Sequence, residues 1–271
     1  MDSPEAPGGS SADDGRSTRR AQYHDSHNLK ARIRLHRQFS TNPAGWQSWV
    51  FAQLAIPRGG RVLELGCGVA DLWVENLEHV PPCQIVLSDL SLGMVHESRS
   101  RCLGSRSKFG FLVADVQAIP FPEACFDVVV ANHMLYHVAS LELSLAEIRR
   151  VLRPNGRFYA STVGRNDLHE LRTAVALFDR ASAGEPQEAF CLEGASAALL
   201  PWFPTVNLHR YPDGLVITDV EALIAYILSS SNVTAALRAR IAELREHFQA
   251  QLDKHGAIRI TKDAGIVEAL T

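Results

Sequence analysis

The run RVLELGCGVADLW, Arg61 to Trp73, constrains the fold more than any other stretch of the chain. A short apolar segment carries Glu64 near its end and passes into two glycines one residue apart, Gly66 and Gly68. Short apolar runs bounded by turn residues read as buried strands. Glycine costs backbone entropy, and a carboxylate is costly to bury without a partner, so packing alone places neither here. A buried strand that turns sharply beneath a ligand explains both.

From Arg61 the pattern alternates. RVLELG reads as a strand and ADLWVENLEHV as a helix; QIVLSD and LSLGMVHESRSRCL repeat the pair. KFGFLVAD is a third strand, AIPFPEAC a turn, FDVVVAN a fourth strand, LELSLAEIRRVL a helix, RPNG a turn and RFYAST a fifth strand. Strands alternating with helices predict an α/β fold, a mostly parallel sheet with helices on both faces. In such sheets ligands bind beyond the carboxyl ends of the strands. Glu64 lies near the end of the first strand, Asp89 ends the second, Asp115 the third, and Asn132 and His133 the fourth. One such acid is readily structural; three at successive strand ends beside a glycine turn point to a ligand. The glycines allow close approach and leave amide N–H groups to bond it. A dinucleotide fingerprint needs a third glycine at position 71, which is Asp71, an acid that repels a pyrophosphate. A P-loop is absent as well. The site calls for a ligand with a cation and a ribose but no phosphate.

VLELGCGVADL resembles the first motif of class I S-adenosylmethionine (SAM)-dependent methyltransferases, whose usual form is E/D-x-G-x-G-x-G, with Ala70 at the last glycine. IVLSDLSLGM resembles the family's second-strand motif, FLVADVQAIPFPEACFDVVVANHMLYHV its third and fourth, and VLRPNGRFYAST the helix and strand that follow. The resemblance covers about Val62 to Thr162 and is nearest to the ubiquinone-biosynthesis-like, small-molecule branch. It implies a Rossmann-like, seven-stranded, mostly parallel sheet, SAM as cofactor, S-adenosylhomocysteine as product, and no metal. It implies that Glu64 and the turn Gly66-Cys67-Gly68 hold the methionine part, the carboxylate facing its ammonium group. Asp89 would accept both ribose hydroxyls, and Leu90 and Met94 would flank the adenine. Asp115 would accept from the adenine amino group with the Val116 backbone alongside, and Asn132 would lie under the sulfonium. Arg32 is a candidate for the methionine carboxylate, although a surface arginine is the commoner reading.

Methyl transfer from a sulfonium is an in-line displacement that aligns acceptor atom, methyl carbon and sulfur, excludes water, and in some cases removes a proton. His133 and His137 in NHMLYHV are the candidate bases, and on a helix they share one face. Met134 stands where a zinc hydrolase needs glutamate. In this family the YH pair also serves simply as pocket wall, so His137 counts as a substrate-binding candidate too. Tyr23 and His24 are candidates for covering the cofactor or touching the acceptor.

The flanks complete the division. Residues 1–20, rich in Ser, Gly, Pro and Asp, read as a disordered tail. Residues 21–56 read as an N-terminal helical lid: Leu29, Ile33 and His36, then Trp46, Trp49, Val50 and Leu54, fall at helical spacing, with STNP between them as punctuation and helix cap. Lys30, Arg32, Arg34 and Arg37 read as a solvated face. The SAM-binding core spans 57–163, and 164–271 completes it. There DLHELRTAVALFDRA is amphipathic, FPTVNLHRY a strand and AIRITKDAGIVEAL a last strand, and the resemblance implies that the sheet ends in an antiparallel pair. Two apolar-striped helices over about 218–254, with Val220, Leu223, Ile224 and Ile227 on one and Leu237, Ile241, Leu244 and Phe248 on the other, form an insertion between the last two strands. Their stripes pack on each other in part, and at that place they would roof a pocket for a small apolar acceptor.

Partners follow from charge and from what is missing. Formal net charge is −3, which gives no basic field for nucleic acid or an anionic membrane. Enzymes that methylate base amino groups carry N/D-P-P-Y where this chain has NHML. Five cysteines without a CxxC pair, no spanning apolar run and no signal-peptide core indicate a cytoplasmic protein. The N-terminal helix is a candidate for exchange in a homo-oligomer. The reading is a SAM-dependent methyltransferase of secondary metabolism acting on O, N or C. Its alternatives are a SAM-binding regulator or scaffold without turnover, and a C-methyltransferase coupling methylation to cyclisation of an alkene.

Overall fold

A computed structural model of the chain describes residues 26–104, 108–186 and 188–271. The tail expected over 1–20, and Tyr23 and His24, lie outside the described residues. The chain divides into two compact units. The larger comprises Ser40–Thr173, Glu185–Val216 and Arg259–Thr271; the smaller takes residues up to Phe39, Ala174–Gly184 and Ile217–Ile258. The segment expected as a lid therefore divides between them at Phe39.

The larger unit is built on β1 (Arg61–Leu65), β2 (Gln84–Asp89), β3 (Lys108–Val113), β4 (Phe126–Asn132), β5 (Leu152–Val163), β6 (Thr205–Arg210) and β9 (Ala264–Leu270). They form one seven-stranded sheet in the order β3-β2-β1-β4-β5-β9-β6. The first five are parallel, and β9 runs antiparallel between β5 and β6. Two further strands, β7 (Gly214–Ile217) and β8 (Ile258–Thr261), pair as a separate sheet. Both faces of the central strands are buried, which is why their sequences are nearly continuous apolar runs. Leu63, Leu65, Val129, Ala131, Phe158 and Ala160 belong to one core; Val62, Val128, Val130 and Tyr159, from the alternate positions, belong to the other.

Helices α1 (Ser26–Phe39), α2 (Trp46–Gln53), α3 (Asp71–Val74), α4 (Leu92–Cys102), α5 (Leu141–Val151), α6 (His169–Ala176) and α7 (Leu192–Leu199) come before the insertion. The first core takes Leu145, Ile148 and Val151 from α5 and Ala195 and Leu199 from α7. The second takes Val50 from α2, Leu72 and Trp73 from α3 and Cys102 from α4. Ser91 and Ser140 cap α4 and α5 by accepting from Met94 N at 3.4 Å and Leu143 N at 3.2 Å.

The smaller unit carries α8 (Val220–Leu228), α9 (Ala235–Ala239) and α10 (Ile241–His255), which lie between β6 and β9 in sequence as expected. Val220, Leu223, Ile224 and Ile227 are buried, as are Leu237, Leu244 and Phe248. Helix α8 packs against α1 and α10. Within the described side chains of α1, Leu35 and Phe39 are buried and Ile33 is only half-buried; the Leu29 side chain lies outside the described residues.

Several local expectations are corrected. ADLWVENLEHV forms only the single turn α3, because the Asn76 amide donates to Leu72 O at 2.7 Å and ends it. The long last helix breaks at Arg240 into α9 and α10. RPNG is an irregularity inside β5, where the register against β4 shifts and Asn155 takes φ 65°. AIRITKDAGIVEAL is two strands: Asp167 accepts from Lys262 Nζ and Asp263 N, each at 2.9 Å, and turns the chain between them. STNP caps no helix. The residue before α2 is Gly45, and the Ser40 and Thr41 side chains donate to Asp213 Oδ1 at 2.8 and 3.2 Å.

The β6–β9 contact is tight enough to test. A Cβ at Gly265 would lie 2.5 Å from the His209 carbonyl oxygen, whereas at Gly110 in β3 it would meet nothing closer than 3.7 Å. Gly265→Ala should cost about 1–3 kcal/mol in urea unfolding, and Gly110→Ala should be neutral or slightly stabilising. Equal effects would contradict the pairing.

Candidate functional site

The parallel register gathers the expected residues at one edge of the sheet. Leu65 aligns with Ser88 of β2 and Ala131 of β4, and Asp89 aligns with Val113 of β3. Strand order reverses at β1 and β4, the place where such sheets open a crevice. Over that edge runs the turn Gly66-Cys67-Gly68. Gly66 takes φ +65°, and a Cβ there would sit 2.8 Å from Met134 Cβ. Gly68 takes φ +53° and a Cβ would meet nothing within 4 Å, so the space above it is open. Ala70 also takes a left-handed φ of 63°, the conformation that suits the glycine usual at this position.

Each carboxylate at the edge has a different partner set. Asp89 Oδ2 accepts from Gly68 N at 3.0 Å and Oδ1 from Ser91 N at 2.8 Å. Burial raises its pKa, and those amides oppose the rise. Asp115 lies two residues beyond β3, not at its end, and Oδ1 accepts from Gln117 N at 2.9 Å. Val116 is buried in the first core, so only its backbone is available to a ligand. Leu90 is 69% exposed beside Asp89, and Met94 is half-buried on the first turn of α4.

Glu64 is 2% exposed. Its Oε2 accepts from the Trp73 indole N–H at 2.6 Å. Burial pushes its carboxyl up to about 8, the Trp73 hydrogen bond opposes this, and the charges of Asp89 and Asp71 add to it. Cys67 between the two glycines is buried and its thiol is pushed up by burial, so it is not a thiolate.

At the end of β4, Asn132 Oδ1 accepts from Ser161 Oγ at 2.6 Å and from Trp46 Nε1 at 3.3 Å, while its Nδ2 donates to Gln47 Oε1 at 3.3 Å. His133 takes φ 54° and its ring lies 4.7 Å from that of Trp46. Trp46 also meets Tyr211 at 5.3 Å, and Trp49 meets Tyr211 at 5.1 Å. Burial lowers the His133 imidazole to about 3, with Lys262 and His137 contributing in the same direction. His133 and His137 do not share a helix face, because the helical turn is a 3-10 segment over Leu135–His137 only. The His137 ring packs edge-on to Tyr136 at 4.5 Å.

Arg32 belongs to the smaller unit, where Nη2 donates to Ser229 O at 2.8 Å and Nε to Ser229 Oγ at 3.2 Å, just past α8. Tyr23 is outside the described residues. Sequence reasoning missed Trp73, Ser161, Gln47 and the tie of Arg101, which donates to Val69 O at 2.7 Å and Asp71 Oδ1 at 2.6 Å. Trp46 appeared only as part of a helical stripe. None of these pairings leaves a local sequence signal, since each joins residues brought together by the sheet.

The segment that carries these strand ends is similar to known proteins. Residues 63–160 match a family described as a methyltransferase domain. The chain is 37% identical over 114 residues to a malonyl-[acyl-carrier protein] O-methyltransferase of Legionella pneumophila, covering 42% of this chain and 40% of that one. It is 34% identical over 119 residues to a demethylmenaquinone methyltransferase of Symbiobacterium thermophilum, covering 42% and 47%. The chain thus spans less than half the length of these two relatives. The crystal structure of YcgJ from Bacillus subtilis superposes with TM-score 0.58 at 15% identity over 83% of this chain and 97% of that one, a likeness of fold. The segment 63–160 is a methyltransferase domain, and its family is the class I SAM-dependent methyltransferases of the ubiquinone-biosynthesis-like type.

Glu64 gives a pH-dependent prediction. Its folded pKa lies above the ordinary 4.5, so the unfolded chain ionises first and stability is lost as pH rises from about 4.5 to about 8. Glu64→Gln removes that loss. The variant should melt with the parent near pH 5 and several degrees above it at pH 9. A constant difference across this range would show that Glu64 is not held neutral.

Proposed function

We propose that the chain is a SAM-dependent methyltransferase that acts on a small, largely apolar acceptor. The observation that carries this is the joined glycine turn and acid: Asp89 held to the Gly68 amide at 3.0 Å under open space, at the switch point of the sheet. The site fits the cofactor on its own chemistry. The oxygens of Asp89 each keep a lone pair for a ribose hydroxyl, and exposed Leu90 offers an apolar seat beside them. Glu64 is a carboxyl that, among the described residues, no lysine, arginine or histidine pairs with, which suits a ligand's ammonium group. When bound, the cofactor supplies an electrophilic methyl group on a sulfonium, whose displacement requires no Lewis acid.

The chain's own residues align and enclose. Ser161 and Trp46 fix the Asn132 amide, and the rigid amide then orients what lies above β4. Half-buried Trp46 and Trp49, packed on buried Tyr211, put aromatic side chains beside it, which supports a planar, apolar acceptor. Of the acceptors named in the two curated relatives, demethylmenaquinone suits such surface better than malonyl-[acyl-carrier protein]. His133 stays neutral at physiological pH and is a weak base there, so general-base work falls to His137 or to none. That favours an acceptor that gives up no proton before transfer, an amine or an electron-rich double bond. The net charge of −3 supports neither nucleic acid nor an anionic membrane as partner, and five free cysteines support a cytoplasmic setting. No described helix is long and apolar enough to cross a membrane.

Turnover of SAM to S-adenosylhomocysteine with quinones, phenols, amines and alkenes tests the activity. SAM binding without turnover of any acceptor would favour a regulator. Asp89→Ala should weaken SAM binding in calorimetry by roughly 100-fold or more, from two charge-assisted hydrogen bonds. Unchanged affinity would refute the ribose assignment. His133→Ala should leave SAM affinity within about threefold and the shape of the pH–rate profile unchanged, because a neutral, weakly basic His133 is not the general base.

A further inference from the structure

Three carboxylates crowd the end of β1, and only one lacks compensation. Asp71 pairs with Arg101 at 2.6 Å. Asp89 accepts two backbone amides. Glu64, buried between them, has the single indole N–H of Trp73. The other titratable groups that face it are thiols: Cys67 in the turn and Cys102 on α4, both feeling its charge. On β4 its register partner is the apolar Val130. Among the described residues one hydrogen bond favours a negative charge here, and two neighbouring acids oppose it.

A buried acid so placed resolves the cost of ionisation by keeping its proton. A ligand cation arriving at the turn reverses the balance, because a close opposite charge favours the ionised acid. We infer that Glu64 gives up a proton to solvent when the ammonium group of SAM docks beside it, so that cofactor loading is proton-linked. This rests on the SAM reading above. The balance is simple: the neutral carboxyl becomes a carboxylate paired with the ligand's ammonium, and the proton leaves to buffer. Since the free carboxyl titrates at about 8, it is mostly protonated at pH 7. Affinity then rises about tenfold per pH unit between pH 6 and 7. It peaks near 8, where the acid is half ionised in the free protein and the ligand's α-amino group begins to lose its own proton.

The test is calorimetry of SAM binding to the full chain in buffers of different ionisation enthalpy, which counts protons exchanged. At pH 7 the parent protein should release roughly half to one proton; at pH 9, where the acid is already ionised and the free ligand's α-amino group is mostly neutral, release should give way to uptake. Glu64→Gln should release none at pH 7 while binding SAM with nearly flat affinity from pH 6 to 7. 5′-Methylthioadenosine, which keeps the nucleoside and sulfur but lacks the amino-acid end and its ammonium, should bind the parent with no proton released. SAM binding without proton release at pH 7, release retained in Glu64→Gln, or equal release with methylthioadenosine would each overturn the linkage while leaving the SAM reading intact. Failure of the parent to bind SAM would instead overturn the functional reading, and the linkage with it.

Discussion

The hydrogen bond from the Gly68 amide to Asp89 joins the loop after β1 to the end of β2. It connects the two halves of the candidate site, the turn that leaves space and the acid that faces it. It also explains why the turn needs left-handed backbone at Gly66 and Gly68: the amide must point back across the sheet edge toward β2. Arg101 completes the arrangement from α4 by holding the Val69 carbonyl and the Asp71 carboxylate. The loop is thus tied from two sides of the sheet edge while its upper surface stays open.

That geometry was legible because the chemistry lies in chain-local patterns. Apolar runs of β1, β2 and β4, each ending in a polar residue, carry their own strand signal, and parallel pairing aligns the ends without further information. Legibility ended where a distant side chain decides a local outcome. Helix α3 stops after one turn because of the Asn76 amide, and β8 separates from β9 because Asp167 collects Lys262 and Asp263 from far away in sequence. Ser40 and Thr41 look like helix caps, yet Asp213 on the β6–β7 connection takes them. Helix α7, at eight residues with glycine and serine inside it, is too short for periodicity to announce. The acids of the site were visible, but their partners were not.

The partners nevertheless separate one acid from another. Motif spacing treats Glu64, Asp89 and Asp115 as equivalent strand-end carboxylates. Asp89 is held by two backbone amides; Asp115 closes a tight turn on Gln117. Glu64 alone sits in the apolar side of the sheet, against Trp73, which is itself fully buried. A carboxylate designed only to hold a neutral ligand would not need to be so deep.

The same logic applies to His133. Its ring is packed beside Trp46 and near the Lys262 charge, conditions that make an imidazole resist protonation. The site thus holds an acid that resists ionisation on β1 and a base that resists it just past β4, both on the carboxyl edge of one sheet. Neither group needs to change charge in a resting protein. A cationic ligand at this edge would meet the Asp89 carboxylate, which the Gly68 amide already holds, and an Asn132 amide already fixed by Ser161, so little at the edge would have to reorganise around it.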